Sequence, residues 1–177
     1  MTWVVYFTYV DPPERSHVFA PERHRPILER IYDKLALPVE WHDDDDVLMV
    51  GHGEVDVMYR RSMDNAIIKV NSVGTGTGAE IRRAARDLFD VTGAEAVYLE
   101  LPLGDARTPA LVEEAEEEGF FFAGLGPSFL PGGDALVMQR IASDLDFGRI
   151  EVANEFAVEL LAYIRADRDR VVAAGRE

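Results

Sequence analysis

The sequence predicts one mixed α/β domain, and three observations carry that prediction. Short runs rich in β-branched and aromatic residues alternate with segments of helical periodicity. A loop with three glycines in five residues joins one such run directly to a helix. Hydrophobic residues make up 47% of 177 positions, enough for a core of one ordinary domain. No internal repeat, low-complexity block or linker divides the chain.

The elements follow in order. Thr2–Val10 (TWVVYFTYV) reads as a strand that Asp11-Pro12-Pro13 ends. Pro21 opens a helix with Ile27, Ile31 and Leu35 on one stripe, and Pro38 closes it. Trp41–Asp46 (WHDDDD) reads as a charged connector. Val55, Val57 and Tyr59 alternate with Asp56, Met58 and Arg60, a half-buried strand. The Ser62–Asn65 turn and the run Ala66–Val73 then make residues 54–73 a hairpin. After Gly74–Gly78, the helix over 79–90 places Ile81, Ala84, Ala85 and Leu88 on one face. Val97–Leu101 is a strand, Thr108–Glu118 an acidic helix, and Gly119–Gly124 a strand. A turn around Pro127, Pro131, Gly132 and Gly133 leads to the strand Asp134–Ile141. The tail from Ile150 to Val172 is amphipathic, with Val152, Phe156, Leu160 and Ile164 four apart. The predicted order is β-α-β-β-α-β-α-β-β plus a C-terminal helix.

Charge and composition narrow the function. With 33 acidic and 18 basic side chains the formal net charge is −15, which repels nucleic-acid backbones at long range. Lysine occurs only at Lys34 and Lys69, so arginine supplies the other cations. An arginine-favouring genome and a salt-adapted acidic surface both account for that bias. Cysteine is absent, which excludes disulfides, thiolate metal sites and cysteine nucleophiles. No apolar run is long enough to span a bilayer, and the N-terminus lacks a basic region and a cleavage site. A cytoplasmic protein without membrane or nucleic-acid partners is expected. His42 beside Asp43–Asp46 is read as a solvated acidic loop, because consecutive residues point in different directions. No metal site is expected. His24 receives no role. Asp146-Phe147-Gly148 matches a kinase metal loop by three letters only, without the accompanying catalytic-loop motif.

The strongest chemical signal is the strand, glycine loop and helix over 66–90. Glycines let a ligand approach backbone N–H groups, and a helix N-terminus favours an anion. Arg82 and Arg83 in the first turns oppose the helix dipole, by about 0.3–1 kcal/mol each. A bound phosphate reverses that penalty. One register, Gly74-Thr75-Gly76-Thr77-Gly78-Ala79, matches the G-x-G-x-x-A form of the dinucleotide fingerprint, with Glu100 where a ribose-binding acid belongs. The antiparallel strands downstream do not supply the further βα units that such a site needs.

The other register, Asn71-Ser72-Val73-Gly74-Thr75-Gly76, resembles the Q/R-x-x-G-x-G/A loop of the GCN5-related N-acetyltransferase superfamily, with Asn71 in place of Gln or Arg. Leu101-Pro102-Leu103-Gly104-Asp105, Thr108-Pro109 and Glu118-Gly119-Phe120 resemble the last third of that fold. Val5–Val10 and Pro21–Tyr32 are similar to bacterial modules of this type, some of them fused to regulatory ATPase domains. The resemblance covers about residues 3–165. It implies an α/β single domain over 1–177. That domain would comprise an N-terminal strand, helix and acidic connector (1–46), a core sheet with a cofactor loop (47–141) and a C-terminal helix (149–177). It also implies acetyl-CoA as cosubstrate, its pyrophosphate held by Asn71, Val73, Gly74, Thr75, Gly76, Thr77, Gly78 and Ala79 with Arg82, Arg83 or Arg86 nearby. The acceptor would be a small-molecule or peptide amine, with Glu100 as base and Tyr98 as the remaining candidate acid. The family's Asn and Tyr positions fall here on Thr108 and Ala115. The same resemblance therefore admits a catalytically inactive sensor or interaction module. A homodimer or a regulatory protein partner is compatible with both.

Overall fold

The computed structural model describes residues 14–43, 47–143 and 145–175. Its elements in chain order are β1 (Ser16–Phe19), α1 (Arg25–Leu35), β2 (Val39–His42), β3 (Glu54–Arg60), β4 (Asn65–Ser72), α2 (Thr77–Asp90), β5 (Ala96–Pro102), α3 (Thr108–Glu117), β6 (Phe121–Leu130), β7 (Gly133–Ile141) and α4 (Glu155–Ala174). A single 3-10 turn, Phe147–Arg149, precedes α4, and the Asp146 side chain caps it by accepting from Gly148 N–H.

The main sheet has the order β3-β4-β5-β7-β6. β4 and β5 are parallel, joined through the crossover helix α2; the other neighbours are antiparallel. The alternation within each strand decides which face is buried. Ala66, Ile68 and Val70 on β4, Val97, Leu99 and Leu101 on β5, and Leu136 and Met138 on β7 all lie in the core. Ile81, Ala85 and Leu88 of α2 and Leu111, Val112 and Ala115 of α3 belong to the same cluster. Burying each of the valine, leucine, isoleucine and methionine side chains contributes about 1.5–3 kcal/mol before entropy is counted. The opposite face carries Lys69, Tyr98 and Glu100.

α1 starts with Pro26 in its first turn and ends at Ala36, in the left-handed region at φ 52°. Ile27, Leu28, Ile31 and Tyr32 are its buried side. α4 lies along the edge strand β6, where Phe122 N–H donates to the buried Asp167 carboxylate at 2.8 Å. Phe156, Leu160, Tyr163 and Ile164 are partly buried against the core, whereas Val152, ahead of the helix, is exposed.

The mixed α/β class stands, and several boundaries change. The expected strand Thr2–Val10 lies outside the described residues. The expected connector Trp41–Asp46 begins instead as strand β2, which pairs in parallel with β1 from Ser16↔Val39 to Phe19↔His42. Contact with a strand some twenty residues away made it a strand. Asp44–Asp46 are outside the described residues. The turn expected around Pro127 is strand: β6 runs on to Leu130, with irregular register between Phe122 and Gly124 and between Gly126 and Leu130. The last helix begins at Glu155 rather than Ile150, where Asn154 caps it by accepting from Ala157 N–H at 2.9 Å.

Candidate functional site

β4 and β5 pair from Asn65↔Ala96 to Lys69↔Glu100. There the pairing stops, although β4 continues to Ser72 and β5 to Pro102. The two parallel strands therefore fork at their C-terminal ends, where ligand clefts form in open α/β sheets. Lys69 and Glu100 are the last paired residues. Glu100 is buried, and one of its carboxylate oxygens has no hydrogen-bond partner. Lys69 Nζ stands 3.3 Å from that oxygen and donates to the Phe129 carbonyl at 3.1 Å. Leu99 and Leu101 point into the core, so Glu100 projects from the other face, as the alternation predicts. Tyr98 is half-buried on the same face, one alternation step further from the fork.

The glycine loop sits at the mouth of this fork. Val73 and Gly74 are buried, whereas Thr75 and Gly76 are exposed. Gly74 is pressed against another backbone: a Cβ there would lie 2.4 Å from Gly53 N and 2.7 Å from Gly51 O. Gly76 precedes α2 at φ 86°, with open space where its Cβ would stand. No side chain caps this helix start.

Protein groups engage much of the loop's hydrogen-bonding capacity. Gly74 N–H donates to Thr77 Oγ1 at 2.9 Å, and Thr75 N–H donates to the Gly51 carbonyl at 3.0 Å. Thr77 N–H donates to Gly74 O at 3.2 Å, and Thr75 Oγ1 donates to Met49 O at 2.8 Å. Val73 N–H is directed to the Asp105 carboxylate. Arg107 grips that carboxylate with two bonds, at 2.8 and 2.6 Å, and also donates to Val50 O at 2.9 Å. Burial opposes ionisation of Asp105, but these bonds prevail and hold its carboxyl below the ordinary value. The segment over 49–53 and the Asp105–Arg107 turn thus close over the loop.

The remaining expected residues divide. Asn71 donates to Asp56 at 2.8 Å, across the hairpin. Gly78 is buried against α3, with the Glu114 carboxylate where a Cβ would go. Ala79 and Arg83 are exposed. Arg82 is bound to Glu118 through its Nε. The structure therefore gathers the loop, Glu100 and Tyr98 around the fork and ties Arg82 and Asn71 to protein partners.

Asp105, Arg107 and Lys69 belong to this region although sequence reasoning did not select them. An acid and an arginine two apart in a turn are too common to stand out. Beyond the end of β5 lies a cavity of about 590 Å³, lined among others by Glu14, His17, Gly104 and Asp134. The buried Asp134 carboxylate accepts from the Tyr32 hydroxyl at 2.7 Å and from Ser128 N–H at 2.9 Å.

No family model matches the chain, and no curated protein does. Among solved structures, a point mutant of the spermidine N-acetyltransferase SpeG from Vibrio cholerae is 18% identical. Its TM-score is 0.38, over 50% of this chain and 56% of that one, so this chain spans little more than half its length. A chimera of that enzyme with hSSAT is 20% identical, at TM-score 0.39 over 66% of this chain and 75% of that one. A dodecameric form of the Vibrio cholerae enzyme is 19% identical, at TM-score 0.39 over 66% and 73%. At these values the likeness carries no argument. The chain's own strand pairing shows a mixed α/β layout of strand, glycine loop, helix and parallel strand.

Proposed function

We propose that the chain is an N-acyltransferase of the GCN5-related type, a cytoplasmic protein that transfers acetyl from acetyl-CoA to an amine. The observation that carries this reading is the fork between β4 and β5 beside the glycine loop, with buried Glu100 at its apex. A thioester in the fork brings its carbonyl near Glu100. The amine nitrogen attacks that carbonyl; the C–N bond forms, the C–S bond breaks, and no covalent enzyme intermediate is needed. Glu100 accepts the amine's proton, and Lys69 sets the position of its carboxylate. Tyr98, on the same face of β5 as Glu100, is the candidate acid for protonating the departing thiolate. The open side of Gly76 and the uncapped start of α2 suit the pyrophosphate. Its seat on the loop requires Asp105 to release the Val73 N–H and the Gly51 carbonyl to release the Thr75 N–H.

That last requirement favours a second reading, a non-catalytic interaction module of the same fold. Where the family's tyrosine is expected, Ala115 is a buried core contact of α3. At the family's asparagine position, Thr108 Oγ1 donates to the Pro102 carbonyl at 2.5 Å.

A thiol-release assay separates the two readings. The chain has no cysteine, so any thiol that appears comes from CoA. Acetyl-CoA is offered with a panel of amines that includes spermidine and a lysine peptide. The proposal expects release with at least one amine, slowed about 10²–10⁴-fold in Glu100→Gln. Release from no amine supports the interaction module. Equal rates in Glu100→Gln remove the assigned base.

A further inference from the structure

The ribbon β1–β2 presents a cluster unconnected with the fork. In its parallel register His17 lies beside Glu40 and Phe19 beside His42, so alternation puts all four side chains on one face. The other face is anchored: Val18 is fully buried, and Trp41 meets the buried Tyr32 edge-on at 5.4 Å. The ligating atoms on the outer face converge. His17 Nδ1 and His42 Nε2 are 3.0 Å apart, and the Glu40 carboxylate lies 3.9 Å from the first and 3.8 Å from the second. Phe19 stacks on the His42 ring at 4.9 Å and 23°, which holds that ring in place.

We propose that His17, Glu40 and His42 form a three-ligand site for a divalent first-row transition ion of the zinc class. Two atoms each about 2.1 Å from a tetrahedral centre stand about 3.4 Å apart. The observed separations bracket that spacing, so small side-chain adjustments admit the ion. Two imidazoles and one carboxylate suit zinc, cobalt or nickel over magnesium or calcium, which prefer oxygen. The ligands are partly exposed, so water completes the coordination. The ion joins β1 to β2, a pair of four-residue strands. His42 alone was read as part of a solvated acidic loop; its partner His17 comes from another strand, 25 residues away.

Cobalt is the probe, because its visible absorption reports imidazole coordination directly. Tag-free, chelator-treated protein is titrated with Co²⁺ in excess Mg²⁺. One equivalent should bind with a tetrahedral or five-coordinate spectrum, raise the melting temperature, and be displaced by Zn²⁺. His17→Ala and His42→Ala should each abolish the spectrum, and Glu40→Gln should weaken binding about tenfold or more. His52→Ala, outside the cluster, should leave it intact. The substituted side chains lie at the surface, and circular dichroism confirms that each variant is folded. An absent spectrum, a spectrum that survives in both histidine variants, or loss of Co²⁺ to Mg²⁺ overturns the site.

Discussion

At the scale of residues, Glu116 at the end of α3 is held by partners from three directions. Arg23 donates to it at 2.6 Å, Arg170 donates twice, at 2.6 and 3.0 Å, and His24 Nε2 stands 3.4 Å away. Burial opposes its ionisation, but His24, Arg170 and Arg23 together hold its carboxyl down at about 2. The network binds α1, α3 and α4 to one another. Tyr163 completes it: its hydroxyl donates to the Arg23 carbonyl at 3.1 Å and lies within hydrogen-bond distance of His24 Nδ1, at 2.7 Å. Burial and the Asp167 charge push the Tyr163 hydroxyl up to about 12, which keeps it a proton donor. A depressed carboxyl stabilises the fold above its ordinary value and loses that contribution as the pH falls. Here the loss runs from 4.5 down to about 2. Glu116→Gln should therefore cost about 3 kcal/mol at neutral pH, with the gap to wild type narrowing below pH about 4.5. Denaturant unfolding at several pH values measures it; a gap independent of pH would contradict the assignment. None of this was legible in the sequence, because arginines and glutamates on an acidic chain read as solvated faces. Glu100 was legible, since period-two alternation opposes it to Leu99 and Leu101. Its partner Lys69 becomes visible only through the register between strands.

At the scale of elements, the junction of β4, loop and α2 shows two uses of glycine. Gly74 makes room for backbone, because the chain over 51–53 passes where a Cβ would be. Gly76 supplies a left-handed φ with nothing near it. Gly74→Ala should destabilise by about 1–3 kcal/mol, and hydrogen exchange should show the 49–53 segment released. Gly76→Ala should cost about 1 kcal/mol through strain, without that release. Equal exchange in the two variants would contradict the close approach. The glycine run predicted the loop, since three glycines before helical periodicity admit few alternatives. It could not show what lies over the loop, because residues 49–53 have no periodicity of their own. β2 was hidden for a related reason. Its four residues lead into an acid run, and pairing with β1 decides its conformation.

At the scale of the molecule, local pattern and global fold agree over most of the chain. The hairpin, the crossover helix and the last two strands were readable because propensity, alternation and turn residues point the same way. The long extension of β6 was not, because its glycines and Pro127 read as a turn, whereas pairing with β7 keeps it a strand. Among the described residues no helix is long and apolar enough to cross a membrane. The net charge of −15 bears on ligand capture. It disfavours an anionic cosubstrate at long range, and at 0.1 M salt that repulsion is largely screened beyond about 10 Å. Binding must then come from the loop itself, where the Asp105 carboxylate competes for the Val73 N–H.

Calorimetric titration with acetyl-CoA at low and high salt, on wild type and Asp105→Asn, tests the fork most directly. Micromolar binding that persists at high salt and tightens several-fold when the Asp105 charge is removed is expected. Absence of binding in both proteins at both salts would contradict it and leave the fork closed by its own residues.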